Sequence, residues 1–147
     1  MLKIDLHVHT MERSPCAHAS EDEQIRAAIK AGLDAIFITD HWALLTPVHL
    51  AELNRRYAPF RILRGIEVTA DGEDLLVLGV YDRLLETTEW TYPGLHNFVQ
   101  RQHGFLALAH PFRYRPEVKI DLAAYPPDAI ELLTPNTPAH AREDIRR

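Results

Sequence analysis

A chain of 147 residues is the usual size of one domain, and 46% hydrophobic with 25% charged residues is the balance of a folded globular protein. Sixteen Lys and Arg against twenty-one Asp and Glu give a formal net charge of -5 without any basic run, which argues against a nucleic-acid surface. The single cysteine, Cys16, excludes an internal disulfide and a Cys-x-x-Cys zinc site, so a reducing cytoplasm is expected, and neither a signal peptide nor a membrane-spanning run is read.

The elements follow from periodicity and punctuation. Residues Leu2 to His9 alternate strictly, apolar at even and polar at odd positions, and predict a strand. Ser20 with Glu23 forms a capping box for a helix over about Glu21 to Ala31, with Ile25, Ala28 and Ile29 as its apolar face and Gly32 as its stop. The apolar run Ala35 to Thr39 reads as a strand covered on both faces. Thr46 before Pro47 opens a second helix through about Tyr57. Arg61 to Val68 and Leu75 to Val80 read as strands around an Asp71-Gly72 turn. A helix over about Pro93 to His103 carries Leu95, Phe98 and Val99 on one side and stops at Gly104, before a strand Phe105 to Ala109. Residues 111 to 128 hold four of the ten prolines and predict an irregular loop. Ala129 to Leu133 is then a last short strand, and a helix is expected from near Pro138. Repeated strand-helix units imply a mostly parallel sheet in one α/β domain, and with no Gly-x-Gly-x-x-Gly loop to signal an open nucleotide-binding sheet, a barrel is preferred.

The polar residues then become informative by position. His7 and His9, Asp40 and His41, Glu67, and His110 all fall at or just past the end of a predicted strand, the end that carries active sites in barrels. Asp5, His7 and His9 leave one strand face about 7 Å from one to the next, so two imidazoles can converge on one metal. Alone, the His-x-His pair reads equally well as an exposed strand face. His41 or His110 could separately be satisfied structural residues, but three such strand ends together make coincidence a poor explanation. Glu67 reads as a bridging carboxylate or as a solvent-facing strand residue. His18, in a loop, reads equally as a solvated side chain or a ligand.

Asp5-Leu-His7-Val-His9-Thr10, Ile38-Thr39-Asp40-His41, Gly65-Ile66-Glu67-Val68 and Ala109-His110-Pro111 occur in this order over nearly the whole chain. In these motifs the sequence resembles the polymerase and histidinol phosphatase (PHP) family of metal-dependent phosphoesterases. The resemblance implies a distorted (βα)7 TIM-like barrel whose top holds two or three zinc, manganese or iron ions. It makes His7, His9, His18, His41, Glu67 and His110 the matching ligand positions. Mixed imidazole and carboxylate donors agree with such metals. Asp5 and Asp40 are expected to orient histidine ring nitrogens.

Two departures stand out. Family members often carry another histidine just before the strand at Leu75, where this chain has Asp74, which reads equally as a substitute ligand and as an exposed turn carboxylate. Such domains also finish with an Asp-x-His motif on a later strand, which is not found before Arg147. Six strands are counted where the family implies seven, so the barrel is expected to be incomplete at its C-terminus. Its open edge invites association with a second copy.

The expected activity is hydrolysis of a small phosphate ester by metal-activated water, without a protein nucleophile. Arg113, three residues past His110, is a candidate grip on the phosphate, although a solvated loop arginine is the slightly favoured reading, with Arg13 and Arg115 behind it. Cys16 is read as a small loop residue, and Trp42, Glu131 and Asn136 are left without assigned roles. The rival readings are an amidohydrolase-like metal hydrolase and a noncatalytic binding or assembly module. Lys3, Lys30 and Lys119 are the only lysines, and none ends a middle strand as the first rival would favour.

Overall fold

The computed structural model describes residues 1–134, Asn136, Thr137 and Ile145; the helix expected from near Pro138 lies, apart from Ile145, outside the described residues. The chain packs as two compact units, Met1–Glu67 with Tyr81–Thr87, and Val68–Val80 with Thr88–Arg147. Six strands appear among the described residues, each hydrogen-bonded to the next in chain order. The expected count of seven strand-helix units is not met among them.

In the first unit, β1 (Ile4–Val8), β2 (Ala35–Ile38) and the first part of β3 (Arg61–Ala70) are parallel, with Ile4 opposite Ala35 and Ile38 opposite Arg64. Helix α1 (Glu21–Lys30) forms because Ser20 accepts from the Glu23 N–H while the Glu23 side chain accepts from the Ser20 N–H. Ile25 and Ala28 bury its inner face, but Ile29 is 42% exposed, one residue too far round the helix. Helix α2 (Pro47–Arg56) starts where Thr46 caps the His49 N–H and Pro47 supplies a residue that needs no partner for its nitrogen. Val8, Ile25, Ile36, Ile38, Leu45, Leu53, Phe60 and Ile62 form one core. A short α3 (Leu84–Thr87), not foreseen from the sequence, places Glu86 to accept the Leu44 N–H at 3.0 Å.

In the second unit β4 (Glu73–Leu78) and β5 (Phe105–Leu108) are antiparallel, with Leu75 opposite Leu108, whereas β5 and β6 (Ala129–Ile130) are parallel. The parallel alternation read from the sequence is therefore broken at β4. The cause is the two-residue turn at Asp71 and Gly72, whose φ values of 50° and 82° suit a tight reversal of the chain. Helix α4 (Tyr92–Arg101) is capped by Thr91 and buries Tyr92, Leu95 and Val99, with Phe98 packed against Trp90 at 4.9 Å between centroids. It stops before Gly104, and the left-handed residue at its end is His103, at φ 55°. Gly104 is needed for space instead: a Cβ there would press into Val80 and stand 2.9 Å from Val99. No helix among the described residues is long and apolar enough to cross a membrane.

Candidate metal centre

The first unit gathers a cluster at the ends of its strands. Alternation along β1 buries Val8 in the core and sends His7 and His9 to the opposite face. The β1 and β2 ladder is irregular between Asp5 and Val8, where the Thr39 hydroxyl takes the Val8 N–H at 3.1 Å. Such irregularities re-aim side chains at strand ends. His41 stands past β2 and pairs as an isolated parallel bridge with Glu67, which lies within β3 rather than at its end, because β3 continues to Ala70.

Three imidazoles converge on one carboxylate oxygen. His7 Nε2, His9 Nε2 and His41 Nδ1 lie 3.3, 2.9 and 3.2 Å from Glu67 Oε2, and His7 Nε2 lies 2.8 Å from His9 Nε2. Glu67 is fully buried. Ligand atoms each about 2.1 Å from a shared zinc-like ion stand about 3 Å from one another, so the spacing and the donor types fit a divalent cation.

The surrounding polar residues hold this cluster differently from the sequence expectation. Among the described residues Asp40 bonds to no histidine ring. Its buried carboxylate accepts from the Thr10 N–H at 2.6 Å, the Thr10 hydroxyl at 2.9 Å, Arg13 Nε at 2.7 Å and the Ser14 hydroxyl at 2.7 Å. Ser14 Oγ in turn accepts the His41 N–H at 3.0 Å, so Asp40 positions the backbone of His41 and the loop after His9. Among the described residues, exposed Asp5 accepts the His7 N–H, at 3.0 Å, and bonds to no histidine ring either. Burial disfavours the charge on Arg13, but hydrogen bonds and attraction from Glu21 and Asp40 outweigh this and hold its pKa above the ordinary value. Its guanidinium is thus committed within the fold.

His18 is exposed and makes no hydrogen bond or ion pair with the described residues. The neighbour that does reach the cluster is Cys16, whose Sγ lies 3.4 Å from His9 Nδ1; one donor atom each from His9, Cys16 and His41 lie within 4.8 Å of one another. Sequence spacing gave no signal for this, since a loop carries no periodicity.

In the second unit His110 follows β5 with a strained φ of 26°, is 3% exposed, and has its Nε2 3.9 Å from Asp74 Oδ2. Asp74 is buried at the start of β4 and accepts from the Thr69 hydroxyl at 2.7 Å, which removes the exposed-turn reading. Glu131, unassigned from the sequence, accepts the His110 N–H at 2.8 Å and helps to hold that strained backbone. Exposed Arg113 lies with Nη1 3.5 Å from His110 Nε2 and its guanidinium 5.0 Å from the Tyr114 ring. Arg115 bonds instead to the Gly72 carbonyl at 2.9 Å and pairs with Glu73. Trp42, at φ 54°, donates its backbone N–H to the Glu67 carbonyl at 3.1 Å.

Solved structures resemble this fold at low identity. A proposed metal-dependent phosphoesterase from Bifidobacterium adolescentis matches with a TM-score of 0.76 and 14% identity, over 99% of this chain and 82% of that one. An amidohydrolase from Chromobacterium violaceum, solved with sulfate and without metal, matches at 0.69 and 14% identity, over 97% of this chain and 81% of that one. PsfC from Pseudomonas syringae matches at 0.62 and 21% identity, over 90% and 66%. No curated protein sequence matches the chain. Residues 5–143 match the family model of the PHP domain, and the chain belongs to that family.

Proposed function

We propose that this chain is a metal-dependent phosphoesterase domain that hydrolyses a small phosphate ester. The observation that carries the reading is the convergence of His7, His9 and His41 on the single buried oxygen of Glu67. A bound divalent cation supplies a water acidified toward neutrality and neutralises developing charge on phosphate oxygens. His7, His9, His41 and Glu67 would hold such ions, with zinc, manganese or iron the metals their chemistry suits. Asp40 keeps the loop after His9 in place through Ser14. In the second unit His110 and Asp74 are proposed as further donors, and the exposed guanidinium of Arg113 as a grip on the substrate phosphate.

Membership of the PHP-domain family and the likeness to a proposed phosphoesterase support this reading. The likeness to an amidohydrolase keeps a second one in play, water attack on a carbon centre by the same donors. The test is metal analysis of the purified chain, with p-nitrophenyl phosphate and p-nitrophenyl acetate as parallel substrates, before and after chelation. Chelator-sensitive release from the phosphate ester alone is expected. Release from the acetate alone would transfer the assignment to the second reading, and bound metal without either turnover would leave a binding module.

A further inference from the structure

We propose that Cys16 is a metal ligand that acts with His9 and His41, adding a thiolate donor on the Nδ1 side of His9 and a preference there for zinc over manganese or magnesium. The inference rests on the metal-centre reading above and names a ligand that the family resemblance did not supply. Three observations carry it. Cys16 Sγ lies 3.4 Å from His9 Nδ1, on the opposite ring nitrogen from the one that meets Glu67. His41 completes a set of three donor atoms within 4.8 Å of one another, all from different segments of the first unit. His18, the loop histidine that would otherwise serve, lies outside the set and is exposed.

The loop is also held so that the sulfur stays there. Ser14 N–H donates to the Thr10 carbonyl at 2.9 Å, Ala17 N–H to the Ser14 carbonyl at 3.0 Å, and Met11 N–H to the Ala19 carbonyl at 3.0 Å. The Ser14 hydroxyl is tied to buried Asp40, and its oxygen to the His41 N–H. Cys16 therefore follows the same anchor that fixes His41. An exposed thiol contributes little packing and adds a liability to oxidation, so its placement against two imidazoles needs a chemical reason. Coordination supplies one: the thiol gives its proton to solvent, and the sulfur's electron pair binds the cation. Thiolates favour zinc, cobalt and copper over the hard cations manganese and magnesium.

Titrating the metal-free chain and its Cys16→Ser variant with cobalt(II) tests this. The wild-type chain should show visible ligand-field bands together with a near-ultraviolet sulfur-to-cobalt charge-transfer band. Cys16→Ser should keep the former and lose the latter, and its zinc affinity relative to manganese should fall by about tenfold or more. Zinc should also protect Cys16 from iodoacetamide in the wild-type chain. Ligand-field bands without charge transfer, with alkylation equally fast in the presence and absence of zinc, would overturn the role of Cys16 and leave the metal centre standing. No cobalt uptake at all would remove both.

Discussion

Asp40 accepts a 2.7 Å hydrogen bond from the Ser14 hydroxyl, and Ser14 Oγ accepts the His41 N–H at 3.0 Å. A buried carboxylate thereby sets the position of a candidate ligand through one intervening side chain. Asp40→Ala would leave Arg13 with only Glu21 opposite its partly buried charge, and is expected to cost about 3 kcal/mol of stability. Ser14→Ala removes one neutral donor and should cost about 1 kcal/mol. Urea unfolding of the two variants measures both, and equal losses would contradict the ranking.

Glu67 Oε2 lies within 3.3 Å of a ring nitrogen of each of His7, His9 and His41. Glu67→Ala should therefore lose metal and reduce turnover by about 100-fold or more, beyond what loss of an outer partner of a ligand costs, while its far-ultraviolet circular dichroism stays close to that of the parent. His18→Ala is the contrasting variant and should keep both metal content and turnover. Elemental analysis and a phosphatase assay on the pair decide the point, and metal loss in His18→Ala would reinstate the ligand implied by the family resemblance.

This contrast marks how far the sequence was legible. His7, His9, His41 and Glu67 could be read because each lies on or just past a strand whose apolar pattern is plain, and the β-strand period of two fixes which residues share a face. Cys16 and His18 lie in a loop, where side-chain direction depends on the Asp40 and Ser14 hydrogen bonds, and these join segments distant in sequence. The capping box of α1 and the proline starts of α2 and α4 make those helices legible, but not α3, which has a single turn and no periodicity to show. Asp71-Gly72 is legible as a tight turn, yet its consequence, an antiparallel β4, is masked by the alternation of strands and helices elsewhere.

Gly104 offers a packing test away from the metal centre. A methyl group added there would meet Val80 and Val99, so Gly104→Ala should destabilise by about 1–3 kcal/mol through overpacking. Gly104→Ala combined with Val99→Ala should recover part of that loss if crowding is its cause. Thermal unfolding of the single and double variants would show whether it does.

The Tyr92 hydroxyl donates to the Tyr125 carbonyl at 2.6 Å, and its pKa is pushed up to about 12, by burial first and then by the charge of Asp128. The folded state thus favours the neutral phenol. Its contribution to stability is fully present below the unfolded tyrosine pKa of about 10, and is lost as pH rises from there through about 12. Unfolding free energy measured across this window should decline less steeply in Tyr92→Phe than in the parent chain. Parallel declines would show that Tyr92 does not carry the effect.

Because β4 runs against β5, it begins where β5 ends: Leu75 pairs with Leu108, and the Ala109 N–H reaches the Asp74 carbonyl at 2.9 Å. In an all-parallel arrangement the residue that introduces a strand would face the opposite rim. Reversal of one strand brings the entrance of β4 level with the exit of β5, and this is how Asp74 comes to stand beside His110. The hairpin bend at Asp71-Gly72, with the Arg115 guanidinium seated on the Gly72 carbonyl, then belongs to the same rim. Lengthening that bend would therefore alter the rim beside the Asp74 and His110 pair while leaving the β4 to β5 register intact.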